Sequence, residues 1–242
     1  MKKTMFVIAL MVGSRVWAIA PLGPTTSTIE KGKSTLAFEY AHGKAEYTGK
    51  LLGVTVKAKA KSNAFFGRYA YGVANDFEVF GRLGTARLRG EDVDNVSQTA
   101  DYEFAYGFGA KTTLAGSDNL SWGLLGQVTW WRSESTETLG ADYLDQIDKG
   151  YTIQVATGPV FKANIIESFY GGPLLYFTRG DVDVKGRIVG VPVSAGGDIE
   201  QDLQLGGYVG ACFDLGKTLD ANIEYQFSAD NKIFGVGLTY IF

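Results

Sequence analysis

Hydrophobic and polar residues alternate along most of this chain. In the segment 219–228 (LDANIEYQFS), every odd position is apolar or aromatic and every even position is polar. The segments 101–110 and 234–242 repeat the scheme, with aromatic or aliphatic residues on one face and mainly small or polar residues on the other. A β-strand sorts such residues onto two faces, whereas a helix would scatter them around its circumference. The pattern therefore predicts an all-β protein.

The alternation extends over about ten segments, separated by connectors that are alternately short and long. We predict strands at 33–48, 55–73, 76–89, 101–113, 120–133, 150–162, 168–183, 192–213, 218–228 and 232–242. The short connectors lie at 74–75, 115–119, 164–167 and 214–217, and the longer ones surround residues 51, 92, 142 and 190. Short turns on one side and long loops on the other are typical of an up-and-down transmembrane barrel. The sequence predicts ten antiparallel strands, with eight as the alternative.

The large aromatic residues and the ionisable residues fall on opposite faces of these strands. Aromatic residues such as Phe38, Phe104 and Tyr225 share the apolar face. A narrow lumen could not hold all of them, whereas Lys or Arg facing lipid at the membrane midplane would cost about 2–4 kcal/mol. We therefore expect the aromatic face to contact lipid and a polar network to fill the lumen; its members are Glu39, Arg68, Glu78, Arg82, Glu103, Lys111 and Glu224. These long side chains predict a largely plugged lumen.

The first residues carry the features of an export signal. Lys2 and Lys3 precede a short apolar core at 5–12, and small residues follow at a cleavage position. We predict a signal peptide at 1–18, with cleavage after Ala20 as the alternative. Residues 19–32 are then expected to form a periplasmic N-terminal segment, ahead of a barrel at 33–242. Beyond residue 20 there is no apolar run of the roughly 20 residues that a transmembrane helix needs.

Composition adds little chemistry to this picture. The formal net charge is -3 and gives no indication of a nucleic-acid partner. The single cysteine, Cys212, cannot form an internal disulfide. Nucleotide-binding and metal-binding signatures are missing from the sequence, so no cofactor is expected.

The terminal strand is the most specific feature. Residues 235–242 (GVGLTYIF) end in Phe242, with apolar residues at alternate positions. In this and in its overall pattern the chain resembles the small outer-membrane β-barrel proteins of the OmpA-transmembrane, OmpX and opacity-protein type. The resemblance implies insertion by the barrel-assembly machinery, which would recognise Tyr240 and Phe242, into the lipopolysaccharide-containing outer membrane of a Gram-negative cell. The even number of strands places both termini on the short-turn side, which is expected to face the periplasm, and we expect a monomer. The commonest members have eight strands, so the expected ten are a departure.

Two predicted hairpin tips share one sequence pattern. Residues 49–56 (GKLLGVTV) match residues 186–193 (GRIVGVPV), and both lie at a long connector. Apolar residues at an exposed tip indicate a contact with a partner or a membrane, so Leu51, Leu52, Ile188 and Val189 are candidate surface-contact residues. The alternative is that the two tips pack on each other.

Candidate catalytic residues are few. His42 is the only histidine, and a ten-stranded surface protease of the omptin type would use a His beside an Asp; no Asp-x-His sequence is present. Arg179-Gly180-Asp181 spells an integrin-binding tripeptide, but so short a motif is common by chance. The acidic residues between 134 and 148 lack the spacing of a calcium-binding loop and are expected to form a solvated loop.

These observations predict a non-enzymatic outer-membrane barrel with a structural or adhesin-like role at the cell surface. A narrow porin-like channel for ions or small solutes is the alternative function. An omptin-like surface enzyme is the second alternative.

Overall fold

The computed structural model of this protein describes residues 20–51, 54–90, 101–139, 142–163, 166–188, 190–229 and 231–242. Ten strands account for most of them: β1 Ser34–Leu51, β2 Val54–Ala74, β3 Phe77–Gly90, β4 Glu103–Gly116, β5 Leu120–Leu139, β6 Asp142–Lys162, β7 Ser168–Ile188, β8 Val191–Asp214, β9 Leu219–Ser228 and β10 Asn231–Ile241. Within these ranges, no helix is long and apolar enough to cross a bilayer.

The strands form one closed antiparallel barrel. Each strand pairs with its neighbours in the sequence, and β1 pairs with β10 to close the ring, with Glu39 opposite Gly237. We call the end with the short connectors, where β1 begins and β10 finishes, the turn end, and the opposite end the extended end. The prediction of an up-and-down barrel is confirmed, with ten strands rather than eight.

The two faces of the sheet are arranged as the sequence predicted. Phe104 is 57% exposed and Tyr225 is 40% exposed on the outside, whereas Glu224 and Arg82 are each 2% exposed inside the barrel. Polar side chains thus line the interior, and apolar side chains face outward. This arrangement is typical of a transmembrane β-barrel.

Some aromatic residues depart from this rule. Phe66, Phe80, Trp131, Tyr170 and Tyr208 point inward and are buried. Each lies directly across from a glycine on a neighbouring strand; the pairs are Phe66–Gly84, Phe80–Gly109, Trp131–Gly150, Tyr170–Gly210 and Tyr208–Gly172. A glycine leaves room for a ring to lie across the adjacent strand. The interior therefore holds large rings as well as ion pairs.

The strands differ greatly in length. β9 and β10 have 10 and 11 residues, close to the roughly 9–11 that cross a membrane, whereas β5 to β8 have 20 to 24. β5 to β8 stay paired to their tips, so the extended end carries a four-stranded sheet beyond the barrel. The sequence predicted an acidic loop between 134 and 148. This prediction is wrong for residues 134–139 and 142–148, which belong to β5 and β6. Outside the membrane both faces can be polar, so the alternation that identifies strands fades there.

The N-terminal segment lies inside the barrel. The sequence predicted a periplasmic segment at 19–32, yet Ala20, Leu22, Thr25 and Ile29 are all buried by the barrel wall. Thr28 and residues 30–33 are exposed, and they lie towards the start of β1 at the turn end. The prediction of a periplasmic segment is therefore wrong for residues 20–29. These residues carry no charge and include small hydroxyl side chains, which suit a polar interior.

Candidate functional site: the barrel lumen

Ion pairs form a ladder on one wall of the lumen. The Arg68 Nε lies 2.7 Å from the Glu39 Oε1, and its Nη1 lies 4.0 Å from the Glu78 Oε1. The Glu78 Oε1 is also 3.5 Å from the Lys111 Nζ, and the Glu39 Oε2 is 3.9 Å from the Arg82 Nη1. Five of the seven predicted lumen residues are thus in mutual contact across β1 to β4. Each buried charge has an opposite charge beside it, as burial away from water requires.

Two phenylalanines hold the arginines of this ladder from the side. The guanidinium of Arg82 lies 5.6 Å from the ring centroid of Phe66 and 5.3 Å from that of Phe80. The guanidinium of Arg68 lies 5.5 Å from the same Phe80 ring. These distances are within the range of cation–π attraction, so the inward rings contribute to placing the charges.

Glutamine side chains continue the network across the lumen. The Arg82 Nη2 donates to the Gln127 Oε1 at 2.8 Å, and Gln127 donates to the Gln154 Oε1 at 2.7 Å. Gln154 donates to Gln226 at 3.3 Å, and Gln226 donates to the Glu224 Oε1 at 2.6 Å. One connected series of polar side chains therefore runs from Lys111 on β4 to Glu224 on β9.

Sequence reasoning did not single out these three glutamines. All three lie on the polar face of their strands, so the alternation of polar and apolar residues could have predicted that they point into the lumen. What the sequence lacked was the register, which decides that side chains on β5, β6 and β9 stand at one level.

Glu224 binds the N-terminal segment. The backbone N–H of Leu22 donates to its Oε1 at 3.0 Å, and the N–H of Gly23 donates to its Oε2 at 2.8 Å. The carbonyl oxygen of Ala20 accepts hydrogen bonds from Gln226 at 3.2 Å and from Gln127 at 3.4 Å. The backbone of the segment is thus bound on both its donor and its acceptor side.

The segment is also bound closer to the turn end. Thr28 N–H donates to the Glu78 Oε2 at 3.0 Å, and Ser27 N–H donates to the Thr113 hydroxyl at 3.2 Å. The Thr25 hydroxyl donates to the Gly158 carbonyl at 3.2 Å and accepts from the Tyr208 hydroxyl at 3.3 Å. Residues 20–28 therefore occupy the middle of the lumen between the charged ladder and β9.

Apolar and polar groups fill the interior towards the extended end. Leu144, Val182 and Val184 point inward and are buried. On the same face of β6, the Gln146 amide donates to both carboxylate oxygens of Asp148, at 2.8 and 3.0 Å, and Asp148 is fully buried. Side chains therefore narrow the lumen towards the extended end, and residues 20–28 fill it towards the turn end.

The remaining predicted residues lie apart from this network. Glu103 is partly buried at the first position of β4, at the extended end. Tyr240 and Phe242 are exposed on the outer face, and their rings are 5.9 Å apart. Leu51 and Ile188 are the last residues of β1 and β7, while Leu52 and Val189 lie outside the described residues. The neighbouring Val191 is 61% exposed, and Gly190 has a φ of 75°, a conformation that favours glycine in a tight hairpin turn.

The candidate catalytic residue His42 and the motif 179–181 lie on different strands, β1 and β7. The His42 Nδ1 lies 2.9 Å from the Asn63 Oδ1, which also accepts a hydrogen bond from the Tyr40 hydroxyl. This group faces outward from the barrel wall, away from the lumen. Arg179-Gly180-Asp181 lies inside β7, where Gly180 pairs with Gly150 on β6. In the part of the chain that the structure describes, no three His, Cys, Asp or Glu side chains are grouped to hold a metal.

A closed antiparallel barrel with a polar interior and an aromatic exterior is the fold of the small outer-membrane β-barrel proteins. Solved structures of this class resemble the chain over most of its length. It aligns with the translocator domain of the autotransporter NalP from Neisseria meningitidis at a TM-score of 0.57 and 12% identity, covering 89% of this chain and 90% of that one. It also aligns with the outer membrane protease OmpT from Escherichia coli at a TM-score of 0.58 and 10% identity, covering 93% of this chain and 99% of that one.

Identities this low show the shared fold alone. No protein-family model matches the sequence, and no curated protein matches it either. The role of this barrel therefore has to be argued from its own lumen and surface.

Proposed function

We propose that this protein is an outer-membrane barrel with a closed lumen, which acts at the cell surface through its extended end and catalyses no reaction. The observation that carries the proposal is the occupation of the lumen by residues 20–28 and by the polar side chains that bind them. A barrel of ten strands has a backbone diameter of about 20 Å, and inward side chains already narrow it from every wall. With a peptide segment in the remaining space, solutes have no wide path.

The long hairpins support a role at the surface. In this proposal the turn end, with both termini, faces the periplasm, and the extended end faces outward beyond the lipopolysaccharide headgroups. The β7–β8 hairpin ends in a turn with the exposed Val191 beside it, and the sequence-matched β1–β2 hairpin ends between Leu51 and Val54. An exposed apolar residue beside a hairpin turn, such as Val191, is suited to contact a partner protein or a neighbouring surface.

Conductance measurements test the closed lumen. The protein would be inserted into planar lipid bilayers, and the current across the membrane would be recorded. We expect no steady single-channel steps. Regular steps of constant size from the unmodified protein would contradict the proposal and favour the narrow channel.

Adhesion assays test the surface role. Replacing Leu51, Leu52, Ile188 and Val189 with Ser should reduce adhesion of expressing cells to host cells or to one another. Leu215→Ser is the matched control, because Leu215 is 55% exposed in the connector at the opposite end of the barrel. Equal adhesion by the tip variant and the control, at equal amounts of folded barrel, would remove the adhesin role.

An enzymatic role is tested at His42. The imidazole is bonded to an amide of Asn63 rather than to a carboxylate, which leaves it without the acidic partner that activates a catalytic base. Cells or vesicles carrying the protein would be assayed for peptide and lipid A hydrolysis beside His42→Ala. Hydrolysis that disappears in His42→Ala would contradict the non-enzymatic proposal.

A further inference from the structure

The lumen contains a built binding site for a peptide, and its occupant is the chain's own N-terminal segment. We infer that residues 20–29 (APLGPTTSTI) are a displaceable plug, and that the barrel conducts small ions when the plug leaves. The inference rests on the proposed closed lumen and adds that its closure is reversible.

The site recognises the backbone of an uncharged peptide that bends at Gly23, where φ is 67°. Glu224 accepts two adjacent N–H groups of the segment, while Gln127 and Gln226 donate to the carbonyl of Ala20. Pro21 and Pro24 restrict the backbone beside these contacts and lower the entropy lost when the segment is bound. The Thr25 hydroxyl adds side-chain contacts with Gly158 and Tyr208, so the site selects both a backbone conformation and an order of residues.

The wall is shaped to admit the segment. A Cβ atom at Gly123 on β5 would lie 2.4 Å from the carbonyl carbon of Thr25, and one at Gly235 on β10 would lie 3.0 Å from the ring of Pro21. Side chains at these two positions would take the space that the segment occupies. Glycines on two widely separated strands thus leave a groove for residues 21–25.

The barrel does not need the segment for its closure. All ten strands are hydrogen-bonded in a complete ring. The bonds given above between residues 20–28 and the wall involve at least one side chain each, so the segment adds no strand to the sheet. Every one of them is non-covalent, and the segment can leave without breaking a strand pair.

An emptied lumen would be polar at the level that residues 20–28 now fill, while the inward Leu144, Val182 and Val184 would still narrow it towards the extended end. At the level of the segment, the walls carry Arg68, Arg82 and Lys111 against Glu39, Glu78 and Glu224, three charges of each sign. Water and small ions are stable beside such groups, whereas the balance of charge disfavours strong selection between cations and anions. We expect a small conductance with weak ion selectivity.

Removal of the segment tests the plug directly. Chains that begin at Ile19 and at Glu30 would be refolded into lipid vesicles and compared in planar bilayers. The longer chain should be silent and the shorter one should conduct. A folded shorter chain without conductance would overturn the inference while leaving the closed-barrel proposal intact, whereas steady conductance of the longer chain would contradict that proposal itself.

A second variant keeps the segment but removes its space. Gly123→Val in the longer chain adds a side chain that suits a strand but collides with Thr25. It should conduct as the shortened chain does. Gly126→Val is the matched control on the same strand, because a Cβ at Gly126 meets nothing within 4 Å, and it should stay silent. A silent, folded Gly123→Val protein would contradict displacement of the plug.

Addition of the segment as a free peptide tests the binding site. The synthetic peptide APLGPTTSTI, added to the bath on the turn-end side, should block the current of the shortened chain, and a peptide of scrambled order should not. Glu224→Ala in the shortened chain should weaken the block by more than tenfold, because hydrogen bonds to a buried carboxylate are the strong ones. Equal block by both peptides, or no effect of Glu224→Ala, would contradict a specific site.

Discussion

The carboxylate of Glu224 accepts a hydrogen bond from the backbone N–H of Gly23 at 2.8 Å, although the two residues are 201 positions apart in the chain. Gly23 precedes the first strand and Glu224 lies in the ninth. Their contact joins the N-terminal segment to the C-terminal part of the barrel wall. A buried carboxylate needs strong partners, and the two backbone donors of the segment help to stabilise that of Glu224.

Hydrogen exchange should detect this contact in the folded protein. The amides of Leu22 and Gly23 are buried donors to Glu224 and should exchange slowly, at rates close to those of strand amides. The amide of Lys31, which donates to the exposed Asn75, should exchange quickly. Glu224→Ala should speed exchange at both buried amides. Fast exchange at Leu22 and Gly23 in the unmodified protein would contradict their placement.

Loss of Glu78 should destabilise the barrel. Glu78→Ala leaves Lys111, which is 2% exposed, without the carboxylate 3.5 Å from its ammonium group. An uncompensated buried charge costs about 3–5 kcal/mol, so the variant should unfold at a lower denaturant concentration. The measurement is denaturant unfolding in lipid vesicles, followed by the fluorescence of Trp122, Trp130 and Trp131.

A paired variant separates the charge from the packing. Glu78→Met with Lys111→Met removes both members of the ion pair and keeps the volume, and it should recover most of the lost stability because apolar replacements of buried pairs are tolerated. Arg68 keeps Glu39 as its partner at 2.7 Å. A double variant as unstable as Glu78→Ala would show that the ion pair is not the source of the effect.

Gly109 should not tolerate a side chain. A Cβ atom there would lie 2.4 Å from the Cζ of Phe80 and 2.6 Å from the carbonyl oxygen of Gly126. Overpacking of this kind costs about 1–3 kcal/mol, so Gly109→Ala should lower the unfolding midpoint. Gly126→Ala is the control, because its Cβ meets open space and its midpoint should not fall. Equal midpoints for the two variants would refute the packing of Phe80 across Gly109.

Phe242 should matter for assembly more than for stability. Its side chain is 56% exposed on the outer face, 6.5 Å from the ring of Tyr69. If it forms part of an assembly signal, Phe242→Ala should reduce folded barrel in cells yet refold normally in detergent. Phe161→Ala is the control, as Phe161 is 50% exposed on the outer face of β6. A similar loss in cells for both variants would argue against a special role for the terminal residue.

The sequence predicted the barrel well where the membrane imposes a strict pattern. Across β9 and β10, lipid outside and polar space inside require strict alternation, and the predicted bounds lie within a residue of those observed. The same alternation predicted that Arg82 and Glu224 point inward. It failed at the start of β6, predicted at residue 150 and observed at Asp142, because strands beyond the bilayer meet water and are free to be polar on both faces.

Inward aromatic residues were the second failure of the pattern. Phe80 shares its face with Glu78 and Arg82, so a rule that sends rings outward misplaces it. The glycine opposite it is visible in the sequence, but only the register between β3 and β4 shows that Gly109 is its partner.

The sequence by itself determined the fold class and the direction of most side chains, because both depend on a period of two within one strand; it predicted ten strands but left eight as the alternative. Only the tertiary structure decided which inward groups meet, since contacts such as Arg82–Gln127 depend on register between strands distant in sequence. It also decided the place of residues 20–29. A short segment without alternation carries no local signal of position, and its free energy in the lumen depends on side chains contributed by most of the barrel.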